Sequence, residues 1–310
     1  MRSSGQVLAA LYGGVDHLDN TRTAKGPEAM IDSNAKHPSA FSPTALRMWE
    51  QCPRSYAHAY LLKTEVDDRP SPHLVFGNAL HEALAFVFRL PIEQRGLKAA
   101  QQALRHYWLK QRGRKQAFLT EAEEATWGLA ALAALELFCA ERGDEFEIKP
   151  IAVEEWVRAT VDGGHAVAGK VDRVERIEVV PAPDEDPIHG LRVTDYKSGT
   201  AKITEPDELA EDRAAQVYVV AASQTFREPV LEMRLLYLRE NVAVTWAIEP
   251  EDLAALPSLL GDVADRIFAD QEFEARPDFL CRWCKFRAHC PEGSGEASLD
   301  QLDPEPATSF

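Results

Sequence analysis

The sequence lacks any hydrophobic run long enough to span a membrane. Its only apolar stretch near the start, residues 7–12, is shorter than the hydrophobic region of a signal peptide and has no obvious small-residue cleavage site. Walker loops, dinucleotide-binding fingerprints and internal repeats are also missing. We therefore expect a cytoplasmic protein without a membrane partner.

Cysteine is scarce, with five residues among 310. In a reducing cytoplasm these residues are not expected to build a disulfide framework, so metal binding and simple burial are the two roles to consider. Hydrophobic residues make up 45% of the chain, enough for one large core or two small ones. The motifs must therefore decide the domain organisation.

Basic residues are in deficit, because 34 Lys and Arg oppose 50 Asp and Glu, for a net charge of −16. Such a charge repels polyanions at long range and argues weakly against a partner held by its phosphates alone. The distribution is uneven, however, because residues 89–115 contain eight basic residues and the single acid Glu93. This stretch is either a solvated helix face or a nucleic-acid contact, and both interpretations stay open.

Composition divides the chain into an arm, a domain and a tail. Residues 1–40 lack sustained periodicity and are interpreted as a flexible arm, and residues 291–310 as an acidic tail. The intervening residues 41–290 are interpreted as a single domain. Its three successive parts are a helical region, an α/β core and a cysteine segment, at residues 41–149, 150–271 and 272–290.

Periodicity predicts the elements of this domain. A first helix should begin after Ser42 and stop at Cys52 and Pro53. Further helices are predicted at residues 77–90, 94–112, 120–141, 207–226 and 251–270. Strands are predicted at residues 151–161, 167–180, 191–197, 232–239 and 242–248, the first two joined by a tight Asp-Gly-Gly turn.

Two short motifs place acids and a lysine on neighbouring strands. The segment Gly-Lys-Val-Asp-Arg contains Asp172, and Thr-Asp-Tyr-Lys contains Asp195 and Lys197, which should project to the same face. The cations that assist phosphodiester hydrolysis prefer carboxylate oxygens, and a nearby lysine can hold the attacking water or neutralise charge on the phosphate. His81 could add an imidazole ligand, favouring manganese over magnesium. Each feature alone is more typical of ordinary structure, such as cross-strand ion pairs or a partly buried helical histidine.

Four of the five cysteines follow a metal-site pattern. Cys281 and Cys284 are separated by two residues, Cys290 follows after five more, and Cys52 lies near the start of the domain. A two-residue spacer lets both sulfurs meet one centre, so we predict a four-thiolate site if the fold brings Cys52 close. Zinc and an iron-sulfur cubane both accept four thiolates, and the spacing does not choose between them. Cys139 is expected to be a buried helix residue.

In this order, the motifs resemble the RecB-like branch of the PD-(D/E)XK nuclease superfamily, including its iron-sulfur members such as AddB and the CRISPR-associated adaptation nucleases. The similarity runs from Ser42 to Cys290. It includes the opening Ser-Pro helix, the Gln-Cys-Pro-Arg segment that contains Cys52, and the Phe-Gly-Asn-Ala-Leu-His-Glu segment that contains His81. The two strands with Asp172 and Asp195 and the three closing cysteines complete it. Each motif is short, but five in order with a matching cysteine set are together specific.

The resemblance implies an α/β fold of the restriction-endonuclease-like kind. Its central mixed sheet would be flanked by helices, with a helical region before it and a cysteine-rich segment after it. It also implies a magnesium or manganese ion, and a [4Fe-4S] cluster on the four cysteines with zinc as the alternative occupant. The residues implied to bind the divalent ion are His81, Asp172, Asp195 and, through its carbonyl, Tyr196.

The resemblance also assigns two polar side chains near that ion. Lys197 would assist the attacking water. The family commonly follows this lysine with a helix carrying Gln and, four residues on, Tyr, whereas here Gln216 is followed at that place by Val220 and the nearby Tyr218 is two positions off. Gln216 is therefore expected in the site, and Tyr218 is left unassigned.

The activity implied is that of a metal-dependent DNA exonuclease that hydrolyses phosphodiester bonds of single strands or duplex ends in repair or recombination. DNA is the expected partner, together with a helicase or another repair or adaptation protein. A catalytically silent iron-sulfur subunit that binds DNA or another protein is the alternative, and an electron carrier is a third hypothesis. The complete set of Asp172, Asp195 and Lys197 argues against the silent subunit. The lack of any likeness to a small ferredoxin argues against the electron carrier.

Overall fold

The computed structural model describes residues 36–66, 69–111, 113–180 and 186–294. In these residues the α-helices are α1 (Pro43–Gln51), α2 (Pro53–Tyr56), α3 (Pro72–Arg89), α4 (Leu97–Lys110), α5 (Arg114–Ala117), α6 (Glu121–Glu141), α7 (Pro206–Ala210), α8 (Arg213–Phe226), α9 (Pro250–Ala269) and α10 (Pro291–Ser294). The strands are β1 (Pro150–Thr160), β2 (Ala166–Val179), β3 (Ile188–Lys197), β4 (Val230–Tyr237) and β5 (Val242–Ala247).

Serine-proline pairs start two of the helices. Ser42 caps α1 by accepting a hydrogen bond from the N–H three residues on, and Pro43 occupies the first turn, where a missing N–H costs nothing. Ser71 and Pro72 repeat this arrangement at the start of α3. The prediction that this helix begins at residue 77 was therefore wrong, because Pro-Ser-Pro is a helix start here rather than a break.

The helix predicted over residues 207–226 is divided in two. α7 ends at Ala210, and Asp212 caps α8 by accepting hydrogen bonds from the N–H groups of Ala214 and Ala215 at 2.9 and 3.1 Å. Aspartate competes with helical backbone in this way, which explains the interruption. The ends of the other predicted helices and strands, from residue 94 onwards, agree with the structure to within three residues.

The five strands form one mixed sheet in the order β1-β2-β3-β4-β5. The β3–β4 pair is parallel and the other pairs are antiparallel. The tight turn predicted between the first two strands is confirmed, with Gly163 and Gly164 at φ 73° and 76°. A parallel pair needs a crossover connection, and α7 and α8 supply it.

Helices cover both faces of the sheet. One hydrophobic cluster joins α1, α8 and α9 to strand residues and includes Leu46 and Leu260. A second cluster joins α3, α4 and α6 to the sheet and includes Leu80 and Leu135. The predicted α/β class is therefore confirmed: a central mixed sheet flanked by helices, with a helical region before it.

The predicted division at residues 40 and 290 stays a prediction. Most of the arm, residues 1–35, and the tail beyond residue 294 lie outside the described residues, while the first tail residues form α10. No described helix combines the length and the apolar character needed to cross a bilayer.

The basic stretch at residues 89–115 divides into structural and exposed side chains. Arg95 donates hydrogen bonds to the carbonyls of Leu90, Phe146 and Ile148 at 2.9, 2.8 and 2.6 Å, and so joins α3 to the segment before β1. Arg89 is exposed but donates a hydrogen bond to the carbonyl of Val153 at 2.8 Å, and the other exposed basic residues described in this stretch are Lys98, Arg105, Lys110 and Lys115. For these four, a solvated face and a nucleic-acid contact both remain compatible with the structure.

Candidate active site

Acidic side chains from three neighbouring strands meet at one place. Glu154 of β1 lies across from Asp172 of β2, between two residues that the β1–β2 ladder pairs. Asp172 of β2 and Asp195 of β3 lie opposite one another, one residue beyond the Arg173–Thr194 pair of the β2–β3 ladder. His81 reaches the same place from α3. Sheet register, rather than sequence proximity, thus assembles the site.

Asp172 is buried and is held from two sides. His81 Nδ1 lies 3.0 Å from its Oδ1, and the backbone N–H of Tyr196 donates to its Oδ2 at 2.7 Å. Burial alone would raise the pKa of Asp172, but the charge and hydrogen bond of His81, with the N–H of Tyr196, lower it. Burial likewise lowers the pKa of His81, but Asp172 more than offsets this and raises it to about 9. The site thus carries a positive charge among its acids.

Asp195 is paired with Lys197, whose Nζ lies 2.5 Å from its Oδ2. Despite this short contact, that buried oxygen has no hydrogen bond of good geometry with any described residue. Burial raises the pKa of Asp195; Lys197 opposes the rise and Asp172 adds to it. Burial alone would lower the pKa of Lys197, but the two aspartates raise it. Additional positive charge would therefore relieve the repulsion between the carboxylates.

Glu154 belongs to this site and was missed by the sequence analysis. Ligand atoms of His81, Glu154 and Asp172 lie within 4.8 Å of one another, the only such group of His, Cys, Asp or Glu found in the described residues. Glu154 Oε2 also lies 2.5 Å from Lys170 Nζ. Its φ of 54° is uncommon for a strand residue other than glycine, and such strain concentrates at functional sites. Next to Glu155, it looks in the sequence like an ordinary solvent-facing residue.

Gln216 and Tyr218 take different places in α8. Both ends of the buried Gln216 amide are engaged, because Oε1 accepts from Arg213 Nη1 at 2.5 Å and Nε2 donates to a backbone carbonyl at 2.7 Å. Its assignment to the site stays a prediction. Tyr218 packs against Gly169, where an added Cβ would lie 2.6 Å from its ring. Burial, followed by the charges of both aspartates, raises the pKa of Tyr218, which places this tyrosine near the carboxylates.

A buried network of ion pairs and hydrogen bonds, centred on Arg173, lies next to the two aspartates. Arg173 follows Asp172 in β2, is fully buried and lies over the ring of Phe88, 4.5 Å from its centroid. It donates to Glu145 at 2.6 Å, to Glu175 at 3.0 Å and to the hydroxyl of Tyr196 at 3.0 Å. The network therefore ties β2 to β3 beside the aspartates.

Four cysteines line a single cavity at the other candidate centre. The fold brings Cys52, which follows α1, to Cys281, Cys284 and Cys290. Backbone N–H groups point at Cys52 Sγ and Cys281 Sγ, each at 3.5 Å. Cys139 lies apart in α6 beside the second hydrophobic cluster, where burial raises its pKa to about 11.

The first of these centres defines a class of protein. Carboxylates that meet on adjacent strands, with a lysine and a histidine beside them, suit hydrolysis assisted by a divalent cation. Residues 40–291, which are most of the chain, match the family described as the PD-(D/E)XK nuclease superfamily. The chain therefore belongs to the PD-(D/E)XK nuclease superfamily, a class of metal-dependent nucleases with the restriction-endonuclease-like fold.

Two solved structures are similar to the chain over most of their lengths. SSO0001 is 13% identical, with 84% of this chain and 90% of that chain covered and a TM-score of 0.38. A candidate exonuclease from Eubacterium rectale is 11% identical, with 80% and 87% covered and a TM-score of 0.48. No curated protein matches the chain.

Proposed function

We propose that this nuclease is a DNA exonuclease that hydrolyses phosphodiester bonds of single strands or duplex ends in repair or recombination. The observation that carries the proposal is the pair of buried aspartates on adjacent strands, Asp172 and Asp195, with Lys197 2.5 Å from the second. This set is complete, which is why a catalytically silent subunit is the weaker alternative.

The proposed ligands of the divalent ion are His81, Asp172, Asp195 and the carbonyl of Tyr196. Two observations suit magnesium or manganese here: a buried Asp195 oxygen lacks a well-oriented hydrogen bond, and the carboxylates repel one another. A bound divalent ion would polarise the phosphate and lower the pKa of a water. The imidazole of His81 favours manganese over magnesium.

Lys197 has the central role among the side chains that do not bind the ion. Its ammonium is held by Asp195, where the two aspartates keep its pKa raised, so it is charged at neutral pH. An ammonium in this position can orient the attacking water and neutralise charge that grows on the phosphate. Its partly buried position strengthens that effect.

DNA binding must overcome the overall charge of −16. The four exposed basic residues of α4 and α5, Lys98, Arg105, Lys110 and Lys115, supply a local positive surface for phosphates. Because such contacts release counterions, the affinity for DNA should fall steeply with salt.

We further propose that the chain is a RecB-like nuclease with a [4Fe-4S] cluster on its four cysteines. A tetrahedral zinc site with Zn–S bonds of about 2.3 Å draws its sulfurs to within about 4 Å of one another. In the described residues, no three cysteine sulfurs lie mutually within 4.8 Å. Wider spacing suits a cubane, whose thiolates bind four different irons. The site would join α1 to the last segment of the domain and close a long loop.

The catalytic proposal is tested with Lys197→Ala on a 5′-labelled single strand in manganese. We expect loss of cleavage with an unchanged fold, whereas Lys149→Ala, a change at an exposed lysine before β1, should leave the rate unchanged. A circular single strand should resist the wild-type protein while its linear form is degraded. Cleavage by Lys197→Ala at the wild-type rate would show that the assigned site is wrong, and rapid cutting of the circle would show an endonuclease.

The cluster proposal is tested by anaerobic purification with an absorbance spectrum and iron, sulfide and zinc analysis. We expect a brown protein that contains iron and sulfide and degrades DNA. A colourless zinc protein that still cuts DNA would retain the nuclease and exclude the cluster. A brown protein that is inert on every form of DNA, yet binds it, would favour the silent subunit.

A further inference from the structure

Trp156 in β1 is largely exposed. Its exposed fraction is 67%, and its ring has no hydrogen bond or ring contact with any described residue. Single exposed hydrophobic residues are common on protein surfaces. The position of this tryptophan, rather than its exposure alone, therefore decides its interpretation.

Trp156 lies two residue pairs along the β1–β2 ladder from Glu154 and Asp172 of the acidic site. It pairs directly with Lys170 across the β1–β2 ladder, so the two side chains leave the sheet on the same face, about 5 Å apart at Cβ. Lys170 Nζ lies 2.5 Å from Glu154 Oε2. Glu154 in turn lies within the group formed with His81 and Asp172. A free indole face and an ammonium thus flank the place where a phosphate would react.

We propose that Trp156 is a substrate-positioning residue whose indole stacks on an unpaired base next to the scissile phosphate. The inference rests on the proposed function and adds the chemistry of substrate recognition to it. Indoles stack on any base, so this contact is independent of sequence, and it requires a base that is not inside a duplex. Lys170 supplies charge for the adjoining phosphate. The substrate strand would therefore reach the carboxylates single-stranded, or with its end unpaired.

The test combines Trp156→Ala with abasic substrates. Linear single strands carry one abasic nucleotide at successive positions from the end that is degraded, and KM and kcat are measured for each in manganese. Loss of one stacked base corresponds to about 5- to 150-fold. We expect Trp156→Ala to raise KM by a factor in this range with little change in kcat, and Trp156→Phe to recover most of the loss. The wild-type protein should show the same penalty at one abasic position, and Trp156→Ala should show none there.

Trp283→Ala is the matched control, because Trp283 is also largely exposed, at 72%, but belongs to the cysteine segment. It should retain the wild-type response to the abasic position. Equal KM values for Trp156→Ala and the wild-type protein, or an abasic penalty that persists in Trp156→Ala, would overturn the inference. So would a change in oligomeric state on Trp156→Ala with unchanged cleavage, since that would make Trp156 a protein contact. Failure of the wild-type protein to cut any DNA would instead refute the proposed function.

Discussion

Replacing Arg173 with methionine should be among the most damaging single changes in the sheet. The side chain is 0% exposed and binds two acids, Glu145 at 2.6 Å and Glu175 at 3.0 Å. It also donates to the hydroxyl of Tyr196 at 3.0 Å. Methionine fills much of the same volume but satisfies none of these acceptors. The substitution therefore leaves Glu145 with Arg234 at 2.8 Å, and Glu175 with only the more distant Arg192 and Arg234, each at 3.9 Å.

The expected cost follows from the burial of these charges. Breaking a buried ion pair by removing one partner destabilises a protein by about 3–5 kcal/mol, because the remaining charge stays out of water. For a chain of this size, about 1 kcal/mol lowers Tm by roughly 2–4 °C, so Arg173→Met should lower Tm by about 6–20 °C. Because Arg173 adjoins Asp172, the surviving fold should also bind manganese less tightly.

Arg176→Met provides the control, since Arg176 lies in the same strand and is also paired with a glutamate. Its side chain is 64% exposed and binds Glu228 at 2.6 Å on the surface. Water screens the charges of an exposed pair, so its contribution is small and this variant should unfold close to the temperature of the wild-type protein. Thermal and urea unfolding followed by circular dichroism measure both variants. Equal Tm values for Arg173→Met and Arg176→Met would refute the reasoning.

Three further changes test other parts of the structure. Burial alone would raise the pKa of Glu145, but its two arginine partners more than compensate and hold the pKa below the usual 4.5. The ionised carboxylate therefore stabilises the fold above about pH 4.5, and this stabilisation is lost as the pH falls. Glu145→Gln should accordingly make the free energy of unfolding in urea depend less on pH in the acidic range. Ser42→Ala removes the cap of α1 and should cost about 1 kcal/mol in urea unfolding. Gly190→Ala places a Cβ 2.5 Å from a backbone carbonyl and should lower Tm, whereas Gly143→Ala, in open space, should not.

The fold was predictable to the extent that local signals agree with tertiary contacts. The Asp-Gly-Gly turn and the alternating strands specified the first hairpin, and Ser42 specified the start of α1. The same capping chemistry at Ser71 was misread because a second proline precedes it. The break at Asp212 was missed because helix-forming residues stand on both sides of it, and only the cap hydrogen bonds show that a new helix begins there.

The candidate site was predictable only where motifs name residues. Asp172, Asp195 and Lys197 belong to short patterns, and alternation in a strand explains why the last two project together. Glu154 belongs to no pattern, and it reaches the site because strand register sets it across from Asp172. The ion network around Arg173 was also invisible in the sequence, since its acids come from a short helical turn and a neighbouring position of the same strand.

The central claim is that buried carboxylates on β2 and β3 support cleavage only with a divalent ion. The most direct measurement is the rate of degradation of a labelled single strand by the wild-type protein and by Asp195→Asn, each in EDTA and in a manganese titration. We expect no cleavage by either in EDTA, saturable manganese-dependent cleavage by the wild-type protein, and loss of that activity in Asp195→Asn but not in the exposed-site control Asp262→Asn. Cleavage that persists in EDTA, or in Asp195→Asn at the wild-type rate, would contradict the claim.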